Sequence, residues 1–244
     1  CITNLINNIC CFHIKNYMKK ILVSIILYFF LSVNSFSHLN HYAEVKYLEY
    51  DLYRNNDLIG SHIYIFDRKG DNLSVKSTVN FKITKLGIDL YKYFAESTEN
   101  YEKNSFKSFK STTIQNKKSK YVNIKLDSKK NTLKIDGSSF KGDADVNFMV
   151  GTWWNHEIVK AKAQISAISG RIIEQKVIFL GKKQIEINGK SFNALHFKFL
   201  SSDETLPDNK KLNTDIWYDA KTLVWLKAQF IKQGNWEYRL KKLN

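Results

Sequence analysis

A few pairs of side chains have the types and spacing that chemistry asks for. Asp215 and Asp219 flank IWY in TDIWYDAKT, and a strand running through both would put the two carboxylates on one face, as two-carboxylate hydrolysis requires. Local turn chemistry competes with that reading, because Asp219 opens a turn before Ala220 and Asp215 can face a lysine on a neighbouring strand. His156 and Glu157 form an adjacent acid/base pair, yet such a pair needs a third group to orient it, and no nucleophile motif such as G-x-S-x-G occurs. Helix capping or solvation is their simpler use. His38 and His41 have the spacing for a shared metal, but two ligands do not make a tight site, and His62, His156 and His196 are scattered. No P-loop, dinucleotide fingerprint or zinc-ligand spacing is present. These observations predict a protein that is not an enzyme, with no catalytic residue, no metal and no cofactor.

The aromatic residues point to binding instead. The chain has 16 Phe, 13 Tyr and 5 Trp, more than a thin sheet hides unless it curves. In GTWWNHEI, residues 151–158, Trp153 and Trp154 follow a glycine that permits close backbone approach. Adjacent rings point to opposite sides of an extended backbone and diverge by about 100° in a helical turn, so the two cannot stack on one ligand as a pair. One indole is expected to close the mouth of the core while the other meets solvent or a partner. Trp153, Trp154, Tyr91, Tyr93, Phe94 and Phe197 are the candidate ligand-binding residues.

Period-2 alternation dominates the elements that would position these groups. In LSVKSTVNFKI, Leu73, Val75, Ser77, Val79, Phe81 and Ile83 share one face, and Ser74, Lys76, Thr78, Asn80 and Lys82 share the other. The pattern recurs with Val122, Ile124 and Leu126 inward, with Leu195, Phe197 and Phe199 inward, and with Val224, Leu226, Ala228 and Phe230 inward. One dry and one wet face is the signature of antiparallel sheet. Turn signals at Asn55-Asn56-Asp57, residues 69–72, residues 128–131, Asn188-Gly189 and residues 220–222 make a meander. Only residues 144–169 lose the rhythm; there Asn155 can cap a short helix with Glu157 in its first turn. The expected fold is mainly β: a curved antiparallel meander or incomplete β-barrel of roughly ten strands with one short helix.

Met18 opens MKKILVSIILYFFLSVNSFS, which reads as a signal peptide with a positive start, a short apolar core and small residues near its end. The expected division is therefore an upstream extension over residues 1–17, a signal peptide over 18–37, and one domain over 38–244. Its apolar run is shorter than the roughly 20 residues of a comfortable span, so no stable transmembrane span is expected after cleavage, and the expected location is the periplasm. Cys1, Cys10 and Cys11 all precede Met18, which removes disulfides and a thiol nucleophile from the expected product, and no cysteine follows the apolar core to carry a lipid. Residues 1–37 contain three lysines and no acid, so the net charge of +15 falls to +12 in the exported part. All but four of the 38 basic residues are lysine, which argues against nucleic-acid reading, where arginine forks dominate. Lysines along strands instead serve solubility and edge protection.

The strand pair YDLYRNNDLIGSHIYIF, the GTWWN box and the C-terminal series IEINGKSFNALHFKF, TDIWYDAKTLVWLKAQF and WEYRL resemble an uncharacterised family of exported bacterial domains of unknown function. In that family the Trp-Asn pair is usually followed by proline; here His156 takes its place. The family looks, in broad shape, like the periplasmic lipoprotein carriers of the Lol system, which implies an unclosed barrel around helical cover and, by analogy of fold alone, an apolar ligand. The expected function is thus binding of a lipid-like or apolar ligand in the concave face. The alternative is a cell-envelope interaction module with a filled core, contacting an envelope protein. Whether residues 144–169 plug the concavity decides between them.

Overall fold

The computed structural model describes residues 42–244, which lie within one compact unit. The expected extension, the signal segment and the pair His38 and His41 lie outside the described residues. Alternating patterns become long strands: β1 (Tyr47–Arg54), β2 (Asp57–Lys69), β3 (Asn72–Lys85), β4 (Ile88–Glu102), β5 (Ser105–Gln115) and β6 (Lys118–Asp127). Four shorter ones follow: β7 (Thr132–Gly137), β8 (Lys141–Asp145), β9 (Met149–Val150) and β10 (Ala163–Ile165). The series ends with β11 (Ile172–Ile187), β12 (Lys190–Ser201), β13 (Asn213–Asp219), β14 (Trp225–Ile231) and β15 (Asn235–Leu243). The described residues hold fifteen strands rather than roughly ten. The surplus comes mostly from β7 to β10, which are two to six residues long and too short to show a period.

All fifteen belong to one sheet, ordered β8-β7-β6-β5-β4-β3-β2-β1-β15-β14-β13-β12-β11-β10-β9. Two meanders therefore grow outward from the central β1–β15 pair, and the sheet is unclosed, with β8 and β9 at its edges. Neighbours are antiparallel except β9 and β10, which run parallel. Across the gap, the Ser139 amide donates to the Ser169 carbonyl at 2.8 Å. Gly137 sits at this crossing because a Cβ there would lie 2.7 Å from the Ser169 carbonyl oxygen and 3.0 Å from the Gly170 Cα.

The inward face forms two cores. The larger joins Leu48, Tyr50 and Leu52 of β1 to Tyr64 and Phe66 of β2 and Leu73, Val75 and Phe81 of β3. The smaller joins Phe109, Val122, Ile124, Leu133 and Ile135 to Val150 and Ile165. Along β3 the expected alternation holds, with Leu73, Val75, Ser77 and Phe81 buried and Lys76, Asn80 and Lys82 exposed. At β14 it slips. A bulge between Trp217 and Tyr218 pairs Tyr218 with Trp225, so Trp225 joins Leu226 in the core; a bulge shifts side-chain parity in this way.

The segment between β9 and β10 holds the expected short helix as a single 3-10 turn, His156–Lys160. Asn155 caps it, its side chain accepting from the Glu157 amide at 3.1 Å. Among the described residues no helix is long and apolar enough to cross a membrane.

Candidate functional site

Residues 151–155 enter the concavity of the sheet and fill it. The Gly151 amide donates to the Ile165 carbonyl at 2.9 Å, and two successive tight turns follow, Thr152 to Val150 and Trp154 to Thr152, both at 2.8 Å. Trp153 lies between them at φ 59, a left-handed conformation costly for a bulky residue. Tyrosines from two walls hold the backbone there: the Tyr64 hydroxyl donates to the Thr152 carbonyl and the Tyr218 hydroxyl to the Trp153 carbonyl at 2.9 Å.

This geometry turns both indoles into the interior. Trp154 is 0 % exposed, meeting Tyr42, Phe66 and Tyr101 edge to face at centroid distances of 5.4, 5.3 and 5.8 Å. Trp153 is half-buried against Trp225 at 5.7 Å and Tyr238 at 6.0 Å. Trp154 is thus the ring that closes the core, while Trp153, on left-handed backbone that is neither extended nor helical, packs against the core and stays partly exposed.

A buried carboxylate secures the loop. Glu99 of β4 accepts from Trp154 Nε1 at 2.9 Å, from Thr152 Oγ1 at 3.2 Å and from the Tyr101 hydroxyl. Burial raises its pKa, and the three hydrogen bonds partly oppose that rise. Nearby His62, whose Nε2 lies 2.7 Å from Ser77 Oγ, packs at a tilt against Tyr64 at 4.3 Å, and burial pushes its pKa down to about 3. Neither residue was among the candidates. Strand parity was the available signal, since Tyr93, Ala95, Ser97, Glu99 and Tyr101 share one face of β4.

The other candidates scatter. Tyr91 and Tyr93 face inward and pack on Phe81 at 6.0 and 4.7 Å, and Phe81 in turn meets Trp236 at 5.2 Å. Phe197 faces the same interior from β12, 6.1 Å from Tyr218. Phe94 is 37 % exposed and has the opposite parity to Tyr93, yet both residues line one open cleft of about 590 Å³.

The acid/base candidates are engaged structurally. Asp215 accepts from Lys198 Nζ at 2.6 Å and pairs with His196 Nε2 at 2.8 Å. Asp219 receives the Lys221 and Thr222 amides at 3.0 and 2.7 Å, holding the β13–β14 turn. Four residues apart on a strand, the two carboxyls are separated by about 13 Å, beyond the spacing of a hydrolytic pair. Asp215 does share an outer groove of about 360 Å³ with Tyr53, Gln229 and Glu237. There burial raises the Glu237 pKa, but Arg239 and Lys227 outweigh it and bring the group to about 2, leaving no proton to donate near neutrality. His156 pairs with Glu157 at 3.1 Å, and Glu157 also binds Lys160 at 2.9 Å. Among the described residues no cluster of three or more metal-ligating side chains occurs.

These features define a class: an unclosed, barrel-like antiparallel sheet whose hollow is closed by its own tryptophan loop. The chain belongs to the family described as a domain of unknown function, DUF6134, whose model matches residues 50–241. The chain is similar to a crystal structure of a β-barrel-like protein of domain of unknown function DUF1849 from Brucella abortus. That match has 12 % identity and a TM-score of 0.56, and covers 82 % of this chain and 97 % of the other. At that identity the likeness concerns the fold alone. A DUF1329 family protein from Desulfovibrio piger matches at 7 % identity and a TM-score of 0.24, over 85 % and 90 % of the two chains. No curated protein matches.

Proposed function

We propose that the protein works in the bacterial cell envelope after export, as a non-catalytic interaction module whose interior is filled and whose outer surfaces meet partners. The observation that carries this reading is the loop at residues 151–155, with Trp154 fully enclosed and its backbone held by Tyr64 and Tyr218. A carrier would need that volume for its cargo; here the chain's own indoles occupy it. Export rests on residues 18–37.

Native mass spectrometry and solvent extraction of the protein purified from the periplasm test the reading. The expected result is a chain without bound lipid, and one retained lipid or apolar molecule per chain overturns it. Cross-linking pull-downs from the envelope should recover a partner whose capture weakens as salt rises, given the lysine-rich outer face.

A second reading has one observation in its favour. Tyr91, Tyr93 and Trp236 are only half-buried and pack against the main core, and half-buried Phe230 stacks on Trp236 at 5.8 Å, leaving aromatic surface at one mouth of the concavity for a small apolar ligand. Such a ligand would quench or shift tryptophan fluorescence in native protein and not in Trp236→Leu.

A further inference from the structure

We propose that the free end of the β3–β4 hairpin is a membrane-docking element, which inserts its apolar tip into the headgroup layer of an anionic lipid bilayer. This rests on the envelope reading above, because export places the chain beside a membrane, and it names the partner surface.

Pairing of β3 with β2 stops at Gly60 opposite Phe81, and pairing of β4 with β5 stops at Tyr93 opposite Gln115. Residues 82–91 therefore pair only within their own hairpin, whose base is tied to the β5–β6 turn where the Asn116 amide donates to the Lys92 carbonyl and the Lys92 amide to Asn116 Oδ1, both at 2.8 Å. At its end Leu86 is 93 % exposed, Ile88 66 % and Leu90 56 %. Such a patch of large apolar side chains, rimmed by polar groups, marks an interaction site when nothing in the fold covers it.

The turn itself shows that the apolar tip runs against local preference. Leu86 (φ 50) and Gly87 (φ 78) form a two-residue loop with both residues left-handed, a geometry that favours Asn or Gly at its first position. The comparable loops read Asn55-Asn56, Lys103-Asn104 and Asn188-Gly189. Among these four, Leu86 alone puts a hydrocarbon side chain in the left-handed position, and solvent is its only cover.

Charge selects the surface. Lys82, Lys85 and Lys92 stand at the base of the tip, and the adjacent β5–β6 turn adds exposed Lys117 and Lys118. The single acid among residues 82–92, Asp89, is paired with Lys92 at 3.0 Å and Lys82 at 3.9 Å and accepts from Thr84 at 2.8 Å. An outer cleft of about 590 Å³, lined in part by Phe94, Ile114, Lys82 and Lys92, continues the same mixture down the hairpin. Apolar tip residues ringed by ammonium groups match a bilayer whose phosphates lie just above its acyl chains.

Flotation of residues 38–244 with vesicles of three parts phosphatidylethanolamine to one part phosphatidylglycerol tests the proposal, with phosphatidylcholine vesicles as the comparison. The expected result is binding to the anionic vesicles that weakens as salt rises. Leu86→Asn combined with Ile88→Thr should lower it at least tenfold with thermal unfolding unchanged or higher, since Asn suits the turn. Lys82→Gln, Lys85→Gln and Lys92→Gln together should abolish the preference for anionic vesicles. Native protein that stays off the anionic vesicles, as a hairpin made for a protein groove would, overturns the proposal, and so does a tip variant that floats equally well. Either failure leaves the filled-interior reading intact, because that reading is tested by extraction.

Discussion

The loop at residues 151–155 and the hairpin end at residues 82–92 both place an apolar residue on left-handed backbone, Trp153 in one and Leu86 in the other. Around Trp153, tyrosine hydroxyls satisfy the carbonyls on either side of the strain, and the ring meets Trp225 and Tyr238. Around Leu86 the side chain has only water. Strain offset by packing within the fold is a structural investment, whereas strain with no internal return points outside the molecule. The difference separates what this chain uses to hold itself together from what it presents to others.

Trp154→Ala should break the buried half of that comparison. The substitution deletes a fully enclosed indole and strips Glu99 of its Nε1 donor, so it should cost about 5 kcal/mol, close to the whole stability of an ordinary domain. Trp154→Phe keeps most of the packing and should cost about 2 kcal/mol, from the lost hydrogen bond to a carboxylate. Urea titration of both variants reads the two terms separately. Equal, small losses would mean that the loop is not what closes the core.

The interior also predicts an acid response with two opposing parts. His62 is held at about 3 in the fold by burial, against about 6.5 unfolded. Between those values the unfolded chain binds the extra proton, so stability falls as pH drops, by about 1.4 kcal/mol per pH unit. Glu99 is raised by burial. From its ordinary value up to its raised one the folded chain holds the extra proton, so this group destabilises as pH rises. The two slopes offset each other in the window where both titrate, and below it the His62 slope stands alone. Stability from denaturation curves at successive pH values should therefore fall most steeply below the ordinary glutamate range, where the His62 slope is unopposed. Glu99→Gln should make the fall continuous from about pH 6.5, and His62→Gln should remove the steep limb. A native slope identical to that of His62→Gln would show that the imidazole is not held neutral.

Gly137→Ala probes the seam between the sheet edges. A Cβ there meets the Ser169 carbonyl oxygen and the Gly170 Cα, so the crossing must open, at about 2 kcal/mol. Amide exchange at Ser139, which donates across the seam, should quicken in the variant while β1 and β15 stay protected. That seam shows where legibility in the sequence ends. Long strands such as β3 announce themselves by alternation, and Asn155 announces its cap by type and by the Glu157 that follows. β9 and β10 hold two and three residues, too few to show a period, and they pair with each other in parallel across the irregular loop between them. Trp225 was hidden by the bulge at Trp217, which no local pattern reveals. Glu99 was readable by parity, but a charged residue on a dry face looks like an interruption until the indole that binds it is in place.

Leu86→Asn alone carries the smallest effect on the fold and the opposite sign. Asn tolerates the left-handed position better than Leu, so the variant should gain about 0.5–1 kcal/mol, read as a small rise in the thermal midpoint. Most single substitutions destabilise, and one that improves the fold at an exposed turn exposes a preference the native residue does not serve. Asn55 and Asn188 show that the chain uses the better residue at equivalent turns. If Leu86→Asn is instead destabilising, the leucine makes a contact that supports the hairpin. The contrast with Trp153 then disappears, because both loops would be holding their apolar side chains for the sake of the fold.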